Sequence, residues 1–227
     1  MCIRDRGNMH LYTPWWLDNK NLDFPRGYHI EVWGGLGAPA YGFGFNYNSL
    51  NKYFGIEIGG YGDRVREEVK KYYGSTIGFS TRGEAVPNKN NYCEIDPEKK
   101  DKYGIPVLRF NYKWSDYERK QAKHMNETVK KIVHNIGGHM LWENKGPEHG
   151  LLTPGEVIHE VGTTRMGNDP NTSVVNEYEQ LHDSKNVFIV DGGPFVSQAD
   201  KNPTWTIMAL SWRTSEYIVD QLKKQNI

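Results

Sequence analysis

His159-Glu160-Val161-Gly162-Thr163-Thr164-Arg165-Met166-Gly167 and, further along, Asn202-Pro203-Thr204-Trp205-Thr206-Ile207-Met208-Ala209-Leu210 are the two stretches whose reading decides this chain's fold. The first presents an imidazole just ahead of a Gly-Thr turn. Glu156–His159 reads as a short strand, and a strand end can offer its last side chain to a cleft. The second opens a helix: Asn202 is a favourable cap, and Pro203 suits the first helical position, where its missing N–H costs nothing. An imidazole accepts a proton near neutral pH, while a side-chain amide can donate to an oxygen that is gaining negative charge. Such a pair suits the O–H of an alcohol. Taken singly, each residue has a plain structural reading: a hydrogen-bonded core histidine and a helix cap. The chemistry requires a fold that brings the two together.

Between these stretches, Val187–Val190 reads as a short buried strand that ends at Asp191-Gly192-Gly193. The helix begun at Pro203 is expected to run to about Lys224. Upstream, Ser115-Asp116-Tyr117-Glu118 is a capping box, in which a hydroxyl and a carboxylate satisfy the free N–H groups of a helix start. Ala122, Met125, Val129, Ile132, Val133 and Ile136 follow at helical spacing, and Gly137-Gly138 stops the run. Val107–Tyr112, Tyr92–Ile95 and Ser75–Ser80 read as strands, with a Pro/Asn loop over 86–91. His29–Trp33 alternates like a half-buried strand, and 61–73 has a helical period closed by Gly74.

Composition excludes several classes. Lys+Arg and Asp+Glu balance at 28 each in 227 residues, without the basic surplus of a nucleic-acid binder. Two cysteines, Cys2 and Cys93, form neither a disulfide framework nor a zinc spacing. No apolar run reaches the roughly 18 residues of a membrane span. No histidine pair has metal-ligand spacing, since His159-Glu160 is followed by Val-Gly with no second ligand one turn on. Gly35-Leu36-Gly37-Ala38-Pro39-Ala40 loosely matches a dinucleotide fingerprint, but turn or strand residues follow where that motif needs a helix. The 24 glycines and 13 % aromatic content suit a turn-rich sheet protein better than a helical bundle.

Taken together, residues 158–210 resemble the C-terminal region of the glucose–methanol–choline (GMC) family of flavin-dependent oxidoreductases. The likeness runs through Ile158–Gly167, Asp169-Pro170, Ser173–Asn176, Asn186–Gly192, Asn202-Pro203-Thr204 and Thr206–Leu210, in matching order and spacing. More weakly, 78–135 looks like the family's substrate domain, notably Tyr103–Val107 and Asn111–Arg119. The sugar-oxidising and gluconate-dehydrogenase-like branches look nearest.

The resemblance implies FAD as cofactor and an alcohol or sugar as substrate. It makes His159 the base that takes the hydroxyl proton and Asn202 the partner that hydrogen-bonds the substrate oxygen. Asp191 and Gly192 match the pair that contacts the ribityl–phosphate region. Pro203 and Thr204 match positions beside the pyrimidine edge of the flavin. It implies an α/β (α+β) fold: a mixed, mostly antiparallel substrate-domain sheet with flanking helices over 7–155, and a segment over 156–227 that completes an FAD-binding domain. Met1–Arg6 reads as a non-native start, and the family's glycine-rich unit that grips the ADP half of FAD is expected to lie outside this chain. Neither the electron acceptor nor the compartment is named by the sequence. The alternative reading is a carbohydrate-binding module, its Trp and Tyr side chains stacking on sugar rings, or an inactive fragment without redox activity.

Overall fold

The computed structural model describes residues 9–11, 22–34, 62, 63, 66, 67, 77–140, 143, 144, 146, 148–156 and 158–227. The expected start at 1–6, the Gly35–Ala40 stretch and most of the helix expected over 61–73 lie outside the described residues. Of that last segment Asp63, Arg66 and Glu67 are described, and Arg66 pairs with Asp63 at 3.1 Å. The chain divides into two compact units. One comprises Gly83–Glu118 with Leu152–Ile227; the other comprises Arg119–Leu151 with the described part of Asp5–Arg82.

The second unit holds a three-stranded sheet in the order β1 (Met9–Leu11), β2 (Tyr28–Gly34) and β3 (Ile77–Gly83), with β1 antiparallel to β2. Most of helix α1 (Asp116–Asn135) belongs to the same unit. Tyr28 and Ile30 share one face of β2 and are buried. The Tyr28 hydroxyl lies 2.8 Å from His124 Nδ1 and 2.9 Å from Thr128 Oγ1, both on α1. Phe24 adds an edge contact to the His124 ring at 5.4 Å. His29 and Glu31 point to the other face and are buried as well, so β2 is not the half-buried strand its alternation suggests. Burial of that polar face is supported by ion pairing: Glu31 meets Arg82 of β3 at 3.0 Å and His29 at 3.5 Å.

Helix α1 forms where its caps place it. The Glu118 carboxylate accepts the Ser115 backbone N–H at 2.7 Å and the Ser115 hydroxyl, and its other oxygen accepts the N–H of Val86 at 3.1 Å. At the far end Gly137 takes φ +72°, Gly137 N–H bonds His134 O, and Gly138 N–H bonds Val133 O. These two bonds satisfy the last carbonyls of the helix in a Schellman arrangement. Ala122, Met125 and Val133 are buried as the spacing predicts, whereas Ile136, at the turn into the glycines, is exposed.

In the first unit β4 (Tyr92–Lys100) and β5 (Pro106–Asn111) form an antiparallel hairpin, with an irregular register between Ile95 and Lys100. The remainder, 152–203, is irregular chain cross-linked by isolated bridges, and helix α2 (Thr204–Lys223) closes the unit. Two expected strands are absent. Val187–Val190 carries a single bridge, Phe188 to Gln180, and Val187 and Val190 are exposed rather than buried. The strand expected over Glu156–His159 does not form at Glu156, Ile158 or His159, the described residues of that stretch, and His159 sits at φ +85°, a left-handed backbone outside the β region. The mixture of helices and antiparallel pairs agrees with the α+β expectation.

Candidate active site at the start of helix α2

Three segments of the first unit converge on one glycine. Alternate N–H groups of the 162–166 stretch donate to successive carbonyls of 192–194: Gly162 to Gly192 at 3.1 Å, Thr164 to Gly193 at 3.0 Å and Met166 to Pro194 at 2.9 Å. A Cβ built on Gly192 would lie 3.0 Å from Val161 Cγ1, 3.7 Å from the Glu160 carbonyl and 3.7 Å from Ile207 Cδ1. Ile207 makes the first intrahelical bond of α2, its N–H to Pro203 O at 3.0 Å. The two residues that follow His159, the Asp191-Gly192 pair and the first turn of α2 therefore meet at Gly192. A Cβ at this position would press on Val161 and fill the contact among the three.

Each sequence-predicted residue has a definite place in this arrangement. His159 is half-buried and held at positive φ, a conformation rare outside glycine and costly enough to persist only where the surrounding structure fixes it. Asn202 is half-buried and Pro203 buried. The residue flanking the helix is Pro203 (φ −81°, ψ −13°), not Asn202, and the helix start has no side-chain cap hydrogen bond. The expected capping role of Asn202 is corrected on that point: the first intrahelical bond is accepted by Pro203 O, from Ile207 N–H, so Pro203 takes the cap position and Asn202 stands one residue before it. Thr204 opens α2. The N–H groups of its first turn have no intrahelical acceptor, and the helix dipole makes this end positive.

Asp191 is exposed and turns its Oδ1 back to accept the Gly193 N–H at 2.7 Å. Gly193 is buried, and a Cβ there would lie 2.2 Å from Thr164 Oγ1 and 2.9 Å from Asp191 Oδ1. Thr164 Oγ1 is itself buried and has no hydrogen-bond partner among the described residues. Beside the Asp191-Gly192-Gly193 turn there is thus a hydroxyl able to donate to a ligand oxygen.

Several residues of this region escaped the sequence reading. Tyr112 leaves β5 edge-on to Trp114, ring centroids 5.0 Å apart, and Trp114 Nε1 donates to Leu152 O at 2.8 Å. Burial, followed by the Glu118 and Glu160 carboxylates, pushes the Tyr112 phenol up to about 12, so it stays a neutral hydroxyl beside the segment that carries His159. Their i, i+2 spacing at a strand end was the available signal. Glu179, fully buried and bonded to α2 through Thr214, had none, because nothing in its neighbours predicts a buried carboxylate. Among the described residues no group of three or more His, Cys, Asp or Glu side chains could hold a metal ion, and no described helix is long and apolar enough to cross a membrane.

Comparison with known proteins gives this geometry a context. A family profile described as GMC oxidoreductase matches residues 87–211. The chain is 29 % identical over 200 residues to 2-methyl-1,2-propanediol dehydrogenase of Mycolicibacterium austroafricanum, covering 88 % of this chain and 34 % of that protein. It is 31 % identical over 166 residues to the gluconate 2-dehydrogenase flavoprotein of Pantoea cypripedii, covering 72 % and 27 %. It is 28 % identical over 184 residues to the fructose dehydrogenase large subunit of Gluconobacter japonicus, covering 80 % and 32 %. The chain thus spans about a third or less of the length of these curated relatives.

Proposed function

The chain belongs to the GMC oxidoreductase family, and we propose that it contributes the catalytic half of an FAD-dependent enzyme that oxidises a CH–OH group of a sugar or polyol. The observation that carries this reading is the convergence at Gly192, where the His159 segment, the Asp191 turn and the first turn of α2 share one packing contact. The names of the relatives, an alcohol dehydrogenase and two sugar-acid or sugar dehydrogenases, support the substrate class.

The residues present fit a flavin. The positive end of α2, without a side-chain cap, suits the electron-rich pyrimidine edge of the ring. Pro203 and Thr204 set the backbone there. The buried Thr164 hydroxyl beside Asp191 and Gly192 suits an oxygen of the ribityl–phosphate chain. When bound, the flavin supplies the hydride acceptor that the protein itself lacks.

The protein's part is proton handling and orientation. His159 takes the hydroxyl proton of the substrate as general base, a role that suits an imidazole near neutral pH. Asn202 donates its side-chain N–H to the oxygen as alkoxide character develops, and so orients the C–H bond. Along α2, Trp205, Met208, Trp212, Val219 and Leu222 are exposed on one side of the helix, and an open depression lined by Met208, Trp212, Ser215, Glu216 and Val219 runs along it. In this reading the rest of the flavin domain covers that side, because exposed apolar stripes of this kind mark packing surfaces.

The test is stopped-flow reduction of the flavin-loaded holoenzyme. His159→Ala should slow flavin reduction by roughly 10²–10⁴-fold while FAD stays bound. Reduction at the wild-type rate would rule out the role given to His159.

A further inference from the structure

We infer that Glu179 is held as a neutral carboxylic acid and acts as a positioning residue, fastening helix α2 to the segment that carries Asp191. The inference rests on the flavin-site reading above only for its consequence at the cofactor. The protonation state follows from the local geometry.

Glu179 makes both attachments itself. Its backbone carbonyl accepts the N–H of Ile189 at 2.9 Å, two residues before Asp191. Its side chain reaches Thr214 of α2, with Oε2 2.7 Å from Thr214 Oγ1. Both residues are fully buried. Glu179 also sits at φ +61°, a left-handed position in the tight turn where Asn176 N–H bonds Gln180 O. Neighbouring contacts make the junction stiff: Tyr178 stacks on Tyr217 of α2 at 4.0 Å, and Arg213 lies over the Tyr178 ring and bonds the Glu177 carbonyl.

Proton counting then sets the charge. Thr214 Oγ1 carries one hydrogen and stands within bonding distance of two groups, the Tyr178 carbonyl at 3.1 Å and Glu179 Oε2. A carbonyl only accepts. If the threonine proton goes to Tyr178, the second contact is a hydrogen bond only when Glu179 donates, which requires the protonated acid. With an ionised Glu179 one of the two buried contacts is lost. The other oxygen, Oε1, is buried with no hydrogen-bond partner among the described residues. That is tolerable for a neutral carbonyl oxygen and far more costly for half of a carboxylate. The charged neighbours act on the same group. Burial is the largest influence and pushes the carboxyl up; a proton donated by Thr214 to the ionised form and the Arg213 charge of α2 pull it down, and Asp191 pushes it up again.

The sign of the resulting pH dependence is the reverse of ordinary acid denaturation. The folded state holds its proton to higher pH than the unfolded chain, whose Glu titrates near 4.5. Between the two values the folded state binds more protons, so stability falls as pH rises. The contribution is complete below the unfolded value and is lost as pH climbs through the folded one.

Glu179→Gln is the discriminating variant, because its amide N–H₂ donates to Thr214 as the protonated acid does but cannot ionise. Isotope-edited infrared spectra of the full chain at neutral pH should show a protonated carboxyl C=O band that is absent from E179Q. Across thermal melts from pH 5 to 9 the wild type should lose stability relative to E179Q as pH rises. In the holoenzyme, the flavin midpoint potentials of the three proteins are compared at the same pH: the wild type should match E179Q at low pH and move away from it toward E179A as pH rises. A wild type without the infrared band, or with a melting profile parallel to that of E179Q, overturns the inference, as does a potential that is the same in E179A and E179Q. The infrared band needs no flavin, so an unchanged rate of flavin reduction in the His159→Ala holoenzyme would count against the proposed function and leave the state of Glu179 separately measured.

Discussion

Gly162 donates its backbone N–H to the carbonyl of Gly192 at 3.1 Å, and this bond sets the register between the segment of the candidate base and the segment of the candidate cofactor contacts. Gly162 has φ +86°. The turn that follows His159 and the bond that docks it are therefore properties of one residue.

Replacing Gly162 with Ala should strain that junction. A left-handed backbone costs an L-residue about 1–2 kcal/mol, and the new Cβ would lie 3.2 Å from the Phe195 carbonyl. Urea denaturation should give G162A a stability lower by about 2 kcal/mol. Gly146→Ala is the control, since a Cβ there meets nothing within 4 Å, and it should leave the midpoint where it was.

Gly193→Ala should act on cofactor binding more than on folding. Its Cβ would stand 2.2 Å from Thr164 Oγ1 and 2.9 Å from Asp191 Oδ1, so both side chains must move, and both belong to the proposed ribityl–phosphate contact. Flavin titration of the apoprotein should show FAD affinity reduced by at least roughly tenfold, the equivalent of about 1.4 kcal/mol. An affinity equal to wild type would remove Thr164 and Asp191 from the site.

The backbone at His159 allows strain and chemistry to be separated. His159→Gly should be at least as stable as His159→Ala, because glycine adopts φ +85° without the left-handed penalty and this relief offsets its greater unfolded-state entropy. Both should reduce flavin equally slowly. A glycine variant less stable than the alanine variant in thermal melts would mean that the positive φ is not strained.

Histidine 124 should give the acid limb of the stability profile. Burial, and behind it Lys131, hold its imidazole below the usual value of 6.5 while Asp23 opposes them. The unfolded chain therefore binds a proton that the folded chain does not as pH falls through 6.5, so stability is present above that value and is lost below it. His124→Phe keeps the ring between Phe24 and Tyr28 and removes the titration. Its melting temperature should fall less between pH 7 and pH 5 than that of the wild type, and an equal fall would assign the acid limb elsewhere.

Much of the architecture was legible because it rests on local chemistry. The capping box at Ser115–Glu118 and the glycines at 137–138 specify both ends of α1 through bonds made within a few residues. The onset of α2 follows from Pro203, to within a residue. The strand expected at Val187–Val190 failed for a non-local reason. An apolar run becomes a strand only beside a partner of equal length, and here the turn at Asn176–Gln180 offers one bridge. The buried ionic face of β2 was hidden for the same reason, since Glu31 is identified as a core residue only by Arg82 on a strand distant in sequence.

By itself the sequence determined the residue types for alcohol chemistry, the two long helices, the hairpin strands and the family to which the chain belongs. These depend on side-chain chemistry and on hydrogen bonds that close within one turn. The tertiary structure alone decided that the 159–166, 191–194 and 203–207 segments meet at Gly192, that His159 stands at a left-handed backbone, and that Glu179 is sealed against Thr214. Those outcomes depend on close approach between residues far apart in the chain, where an absent Cβ or a single buried proton fixes the geometry.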